Sequence, residues 1–177
     1  MKSITAYIVL AAFIMTGRSC EALLHTSDTL PDQEYFFLYE YINYAWGYQH
    51  SGWLMDSSGT VRYFHVPEKW MVPDTDAAID ISGIEHYMGK ADSVITVVDR
   101  SILAEKVKLI KAAARGTFSE PENVMADAGT WSYYALQYHP DQAVYERILL
   151  KQEGDWETDN LSSTAAELAD WMQSVTE

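Results

Sequence analysis

Carboxylates at alternate positions are what a hard cation needs, and this chain offers them twice. In "DWETDN", Asp155, Glu157 and Asp159 fall at the first, third and fifth positions of a calcium loop. The sixth position is Asn160 rather than Gly, and the twelfth is Ala166 with Glu167 one place late, so the bidentate ligand that closes such a loop is missing. In "DTDAAIDISGIE", Asp74, Asp76, Asp80 and Glu85 keep suitable spacing, but Ala78 and Ile79 occupy the fifth and sixth positions. Turn chemistry and charge at helix starts account for both clusters better, so no metal or cofactor is assigned.

Nucleophilic and zinc chemistry find less support. His25, His50, His65, His86 and His139 are isolated, no H-E-x-x-H or Cys pair exists, and each reads as a surface or turn histidine. His50 adjoins Ser51 in "YQHSGW", but adjacent residues of a strand point to opposite faces and no G-x-S-x-G elbow is present. No P-loop or G-x-G-x-x-G fingerprint occurs. No residue is therefore assigned a catalytic role, and a hydrolytic site would have to be assembled through space.

Two features suggest binding instead. The aromatics Tyr44, Trp46, Tyr48 and Trp53 could form a stacking surface for a sugar ring or a peptide, or fill the core. The chain carries a formal charge of −14, and from Gln152 to Glu177 it holds seven acids and no Lys or Arg. Such a balance argues against nucleic acid or an anionic membrane surface. It leaves Asp155, Glu157 and Asp159 as a docking face for a basic protein partner, or as a solvated pole.

The N-terminus reads as an export signal over residues 1–19. Lys2 precedes "ITAYIVLAAFIM", twelve mostly apolar residues, too few to span a bilayer as a helix of about 18 Å. Gly17 and Ser19 supply the small residues that signal peptidase prefers before a cut at Cys20, the only cysteine. A lipoprotein signal places an aliphatic and two small residues before the lipidated Cys, and Gly17 and Arg18 depart from that order. A lipid anchor on Cys20 and simple secretion both stay open, and the lipid would be the only tie to a membrane. Loss of residues 1–19 leaves 10 basic and 26 acidic residues, a formal charge of −16.

The elements that must carry these residues follow from periodicity. After a polar lead, 20–32, residues 33–177 make one domain. The aromatic run favours strands, and "DSSG" between "GWLM" and "TVRYFHV" closes a hairpin, with Gly59 at positive φ. Ser82 and Glu85 form a capping box for a short helix, and "SVITVV" reads as a buried strand. "DRSILAEKVKLIKAAARG" keeps a helical period with Asp99 or Ser101 as its cap. "TWSYYALQYHPDQAVYERILLK" is a second hairpin. A last helix, boxed by Thr164 and Glu167, carries the stripe Ala165, Leu168, Trp171, Met172 and Val175, so truncating Trp171 should cost far more than truncating His50. The sum is an α+β domain: a largely antiparallel sheet of two hairpins plus a short strand, with helices packed on one face.

The blocks "INYAWGYQHSGWLMDSSGTVRYF" and "GDWETDNLSSTAAELADWM" resemble segments of small exported bacterial proteins, many of which carry lipoprotein signals. The resemblance implies a protein of the bacterial envelope and transfers no functional residue. The expected role is a non-catalytic acidic module that binds a protein, including an inhibitor or immunity-type role against a basic enzyme. A carbohydrate-binding module built on the aromatic block and a hydrolase are the alternatives. Mass spectrometry of protein purified from an exporting host should find a mature chain starting at or near Cys20; an intact Met1 would refute export.

Overall fold

The computed structural model describes residues 29–67 and 77–176. Cys20 and the proposed signal over residues 1–19 lie outside these residues, as do Asp74 and Asp76 of the second acidic cluster. Among the described residues, no helix is long and apolar enough to cross a membrane.

The elements run β1 (Tyr35–Asn43), β2 (Gln49–Asp56), β3 (Thr60–His65), β4 (Ala78–Asp80), α1 (Ile81–Gly89), β5 (Ala91–Val97), α2 (Arg100–Ala113), β6 (Glu122–Asn123), β7 (Thr130–His139), β8 (Val144–Gly154), β9 (Trp156–Asp159) and α3 (Ser163–Ser174). The described strands form one sheet in the order β5-β3-β2-β1-β7-β8-β9-β6, with β4 added on β8, and every strand ladder is antiparallel. Both expected hairpins are present. Asp56 Oδ1 accepts from the Ser58 and Thr60 amides, and Gly59 takes φ +85°.

Because successive strand residues face opposite sides, β1 feeds two cores. Phe37 and Tyr39 point to one face, where Trp53, Met55, Tyr133, Ala135 and Ile148 join them. The ladder between β1 and β2 slips between Tyr35 and Phe37, which lets Phe36 enter the same core as Phe37. On this face pack Leu103, Val107, Ile110 and Ala113 of α2 and Ala165, Leu168, Ala169 and Met172 of α3, each set at three- and four-residue spacing. Trp171 is only half-buried and meets Phe37 edge-on, with ring centroids 4.9 Å apart.

The opposite face holds the second core: Leu38, Leu54, Phe64, Leu136 and Tyr145 from the sheet, with Ile84 and Tyr87 of α1. The expectation of helices on one face is thus corrected: α1 covers one side, α2 and α3 the other. A helical period says which residues of a helix are buried, not against which face. Two further readings change. "SVITVV" is exposed, because β5 is an outer strand of the sheet, with Val94, Ile95 and Val97 facing solvent. The first helix is capped not by Ser82 but by Asp80, whose Oδ1 accepts from the Gly83 amide and the Ser82 hydroxyl, each at 2.8 Å. Ser162 occupies the cap position of α3 without a side-chain cap hydrogen bond, whereas Asp99 caps α2 as expected.

Candidate functional site

Helix α1 covers only part of its face of the sheet. Beyond it the strands floor a cleft of about 690 Å³, within the roughly 300–1,000 Å³ common for small-molecule sites. The floor is made by Glu40 of β1, His50 of β2, Thr130, Ser132 and Tyr134 of β7, and Arg147 and Gln152 of β8.

At its base lies a buried ionic array. Glu40 sits in the central strand with almost no solvent contact, paired across the ladders with Gly52 and Ser132. Those two small partners leave room around the carboxylate. A Cβ on Gly52 would stand 2.0 Å from the Tyr39 carbonyl oxygen and 2.8 Å from the Phe64 ring, so only glycine fits there. Three side chains converge on Glu40. The Tyr87 hydroxyl donates to Oε1 at 2.7 Å, His50 Nε2 donates to Oε1 at 3.0 Å, and Arg147 approaches Oε2 at 3.4 Å.

Burial alone would raise the Glu40 carboxyl, but the His50 hydrogen bond, the Arg147 guanidinium and the Tyr87 hydrogen bond outweigh it and hold the group below its ordinary value. An ionised carboxylate only accepts, so the proton of the shared bond lies on Nε2. In the neutral ring, Nδ1 then accepts from the Tyr48 hydroxyl at 3.0 Å. The chain of contacts runs from a buried carboxylate, through an imidazole, to a phenol in the cleft.

The rim is tied down by backbone bonds. Asn43 donates to the Tyr41 hydroxyl at 3.0 Å and to the Asp127 carbonyl at 3.1 Å, and its Oδ1 accepts from the Ala45 amide at 2.8 Å. Tyr41 donates to the Ala128 carbonyl. The Asp155 carboxylate accepts from the Ala128 and Gly129 amides at 2.8 and 3.2 Å, clamping a loop that holds Asp127 at φ +66° and Gly129 at φ +82°.

The expected site residues are therefore divided. Tyr44 and Tyr48 line the cleft, 5.6 Å apart by ring centroid, with Tyr44 58% exposed. Trp46 is 78% exposed outside it, and Trp53 is buried in the other face's core against Tyr39. The four do not form one aromatic surface, because Trp53 lies on the opposite side of the sheet. Asp155 is a loop clamp at the cleft edge, while Glu157 and Asp159 are exposed on β9. The acidic pole is also partly balanced: Lys151 pairs with Glu153 and Lys106 with Glu167, each at 2.7 Å. Among the described residues, no group of three or more His, Cys, Asp and Glu side chains is placed to hold a metal ion.

His50 is the largest correction. It is fully buried rather than a surface or turn residue. Truncating it would leave the buried Glu40 carboxylate short of a hydrogen-bond partner, a loss of about 3–5 kcal/mol, so the expected gap to the half-buried Trp171 closes. Glu40, Tyr87 and Arg147 carry no sequence motif. One signal for Glu40 exists: it is the only charge between Tyr35 and Trp53, at a position whose neighbours in the alternation, Leu38 and Ile42, are apolar. A search of protein families, of curated proteins and of solved structures finds no match to this chain.

Since the folded state holds Glu40 below its unfolded value of roughly 4.3, its stabilisation is present above that pH and lost as pH falls through the folded value. Urea titrations from pH 7 downward should show that Glu40→Gln is less stable at neutral pH by about 3–5 kcal/mol and loses less on acidification than the wild type. Parallel acid limbs would show that Glu40 is not held ionised by the fold.

Proposed function

We propose that this chain is an exported binding protein whose cleft takes a neutral saccharide. One observation carries the reading: the cleft has exposed aromatics at its rim and, on its floor beside the mutually paired Glu40 and Arg147, a set of uncharged hydrogen-bonding groups. Tyr44 and Trp156 stand about half exposed at the edge, and Thr130, Ser132 and Gln152 lie beneath. A saccharide presents both matching surfaces, an apolar ring face and a periphery of hydroxyls, and amphipathic aromatics suit such ligands. Asp127 and Asp155 at the rim and the chain's charge of −14 disfavour anionic ligands.

Export is carried by the N-terminal segment, and attachment through Cys20 would place the cleft at the envelope surface. Docking of a basic protein is the second reading. The exposure of Glu157 and Asp159 beside Trp156 favours it.

Calorimetry of the full chain against a panel of neutral oligosaccharides tests the first reading. Binding should weaken about tenfold in Tyr44→Ala, the scale of one aromatic contact at about 1.4 kcal/mol, and stay unchanged in Trp46→Ala. Absence of binding across the panel, or equal affinity in Tyr44→Ala, would remove the reading.

A further inference from the structure

Two phenols are bonded to the buried Glu40–His50 pair, and they differ in where they open. Tyr87 donates directly to Glu40 and is fully buried, with its ring stacked on Phe64 at 4.6 Å and edge-on to His50 at 5.3 Å. Burial first, then the charge of Glu40, pushes its phenol far above the ordinary range, so it stays a neutral donor. Tyr48 lies on the other side of the imidazole, is half-buried and lines the cleft.

The order carboxylate, imidazole, hydroxyl, with both links at 3.0 Å, is the arrangement that activates a hydroxyl toward a carbonyl carbon. Glu40 holds the ring with Nε2 protonated, which turns the Nδ1 lone pair to the Tyr48 hydroxyl. We propose that Tyr48 is a nucleophile that accepts the acyl group of a small uncharged carboxylic ester bound in the cleft, with His50 as its base.

The chemistry balances without a further reactant except water. The Tyr48 oxygen bonds to the acyl carbon and the ester's carbon–oxygen bond breaks; the phenolic proton passes to Nδ1 and from there to the departing alcohol. Water then adds to the acyl carbon and gives its proton to Nδ1. The carboxylic acid leaves as Tyr48 recovers its proton. The proposal rests on the cleft admitting a ligand, as the preceding reading also requires, and not on that ligand being a saccharide.

The probe is p-nitrophenyl acetate with the full chain, followed by p-nitrophenolate release and by mass spectrometry of acid-quenched protein. The expected result is acetylation at Tyr48, with release slowed on the order of 10²-fold in both Tyr48→Phe and His50→Gln. Because His50→Gln disturbs the buried pair and can unfold the chain, the decision rests on Tyr48→Phe, which keeps Glu40, His50 and Tyr87 in place. Thermal melts check both variants. Acetyl groups spread over lysines and other tyrosines without preference for Tyr48, or wild-type release from folded Tyr48→Phe, would overturn the proposal. Acetylation of Tyr48 in a chain that binds no oligosaccharide would uphold it while removing the saccharide reading. Saccharide binding without Tyr48 acetylation would do the reverse.

Discussion

A carboxylate in the middle of a central strand, shut away from water, is tolerable only if its charge is met from all sides, because an unpaired buried ion costs several kcal/mol or more. Glu40 imposes that condition on this fold. It needs β2 in register to bring His50 diagonally across Gly52, β8 in register to reach over β7 with Arg147, and α1 docked so that Tyr87 arrives from above. A one-residue slip of any of these strands would send the partner to the opposite face and leave the charge alone. The apolar cores supply most of the driving force for collapse, but they would accept several arrangements of similar volume. The ionic array accepts one.

The same array joins structure to the proposed chemistry. Its closed end, where Tyr87 stacks on Phe64 and both meet His50 edge-on, is buried and held from several directions; its open end presents Tyr48 to the cleft. Groups fixed in this way need little reorganisation when a ligand arrives, which is what a binding or reactive site requires. The rim follows the same logic at lower energy. Asn43 and Asp155 spend their polar atoms on backbone groups of the 127–129 loop, and Tyr44 and Trp156 are left facing outward from a framework already in place.

Local signals in the sequence carried the elements well and their assembly poorly. The "DSSG" and "HPDQ" turns and the periodic segments from 99 and 164 were legible because turn chemistry and amphipathic spacing act within a few residues. The side of the sheet chosen by α1 was not, since its spacing is the same against either face. The exposure of β5 is not legible, because a β-branched run suits an outer strand as well as a buried one. Asp80 took the cap from Ser82 through competition between two good capping residues two positions apart. For the site, Tyr44 and Tyr48 are legible by their type. The burial of His50 is not legible, because its partner Glu40, ten positions away, becomes its neighbour only once β1 and β2 pair.

The Glu40–His50–Tyr48 array is the claim on which fold and function both lean, and the imidazole reports it directly. Nitrogen-15 NMR correlations of the histidine rings, with His50 assigned by comparison with His50→Gln, should show Nε2 protonated and Nδ1 unprotonated in the neutral ring, with the Nδ1 resonance moved in Tyr48→Phe. A His50 ring protonated at Nδ1, or one whose nitrogens ignore the Tyr48 substitution, would contradict the account.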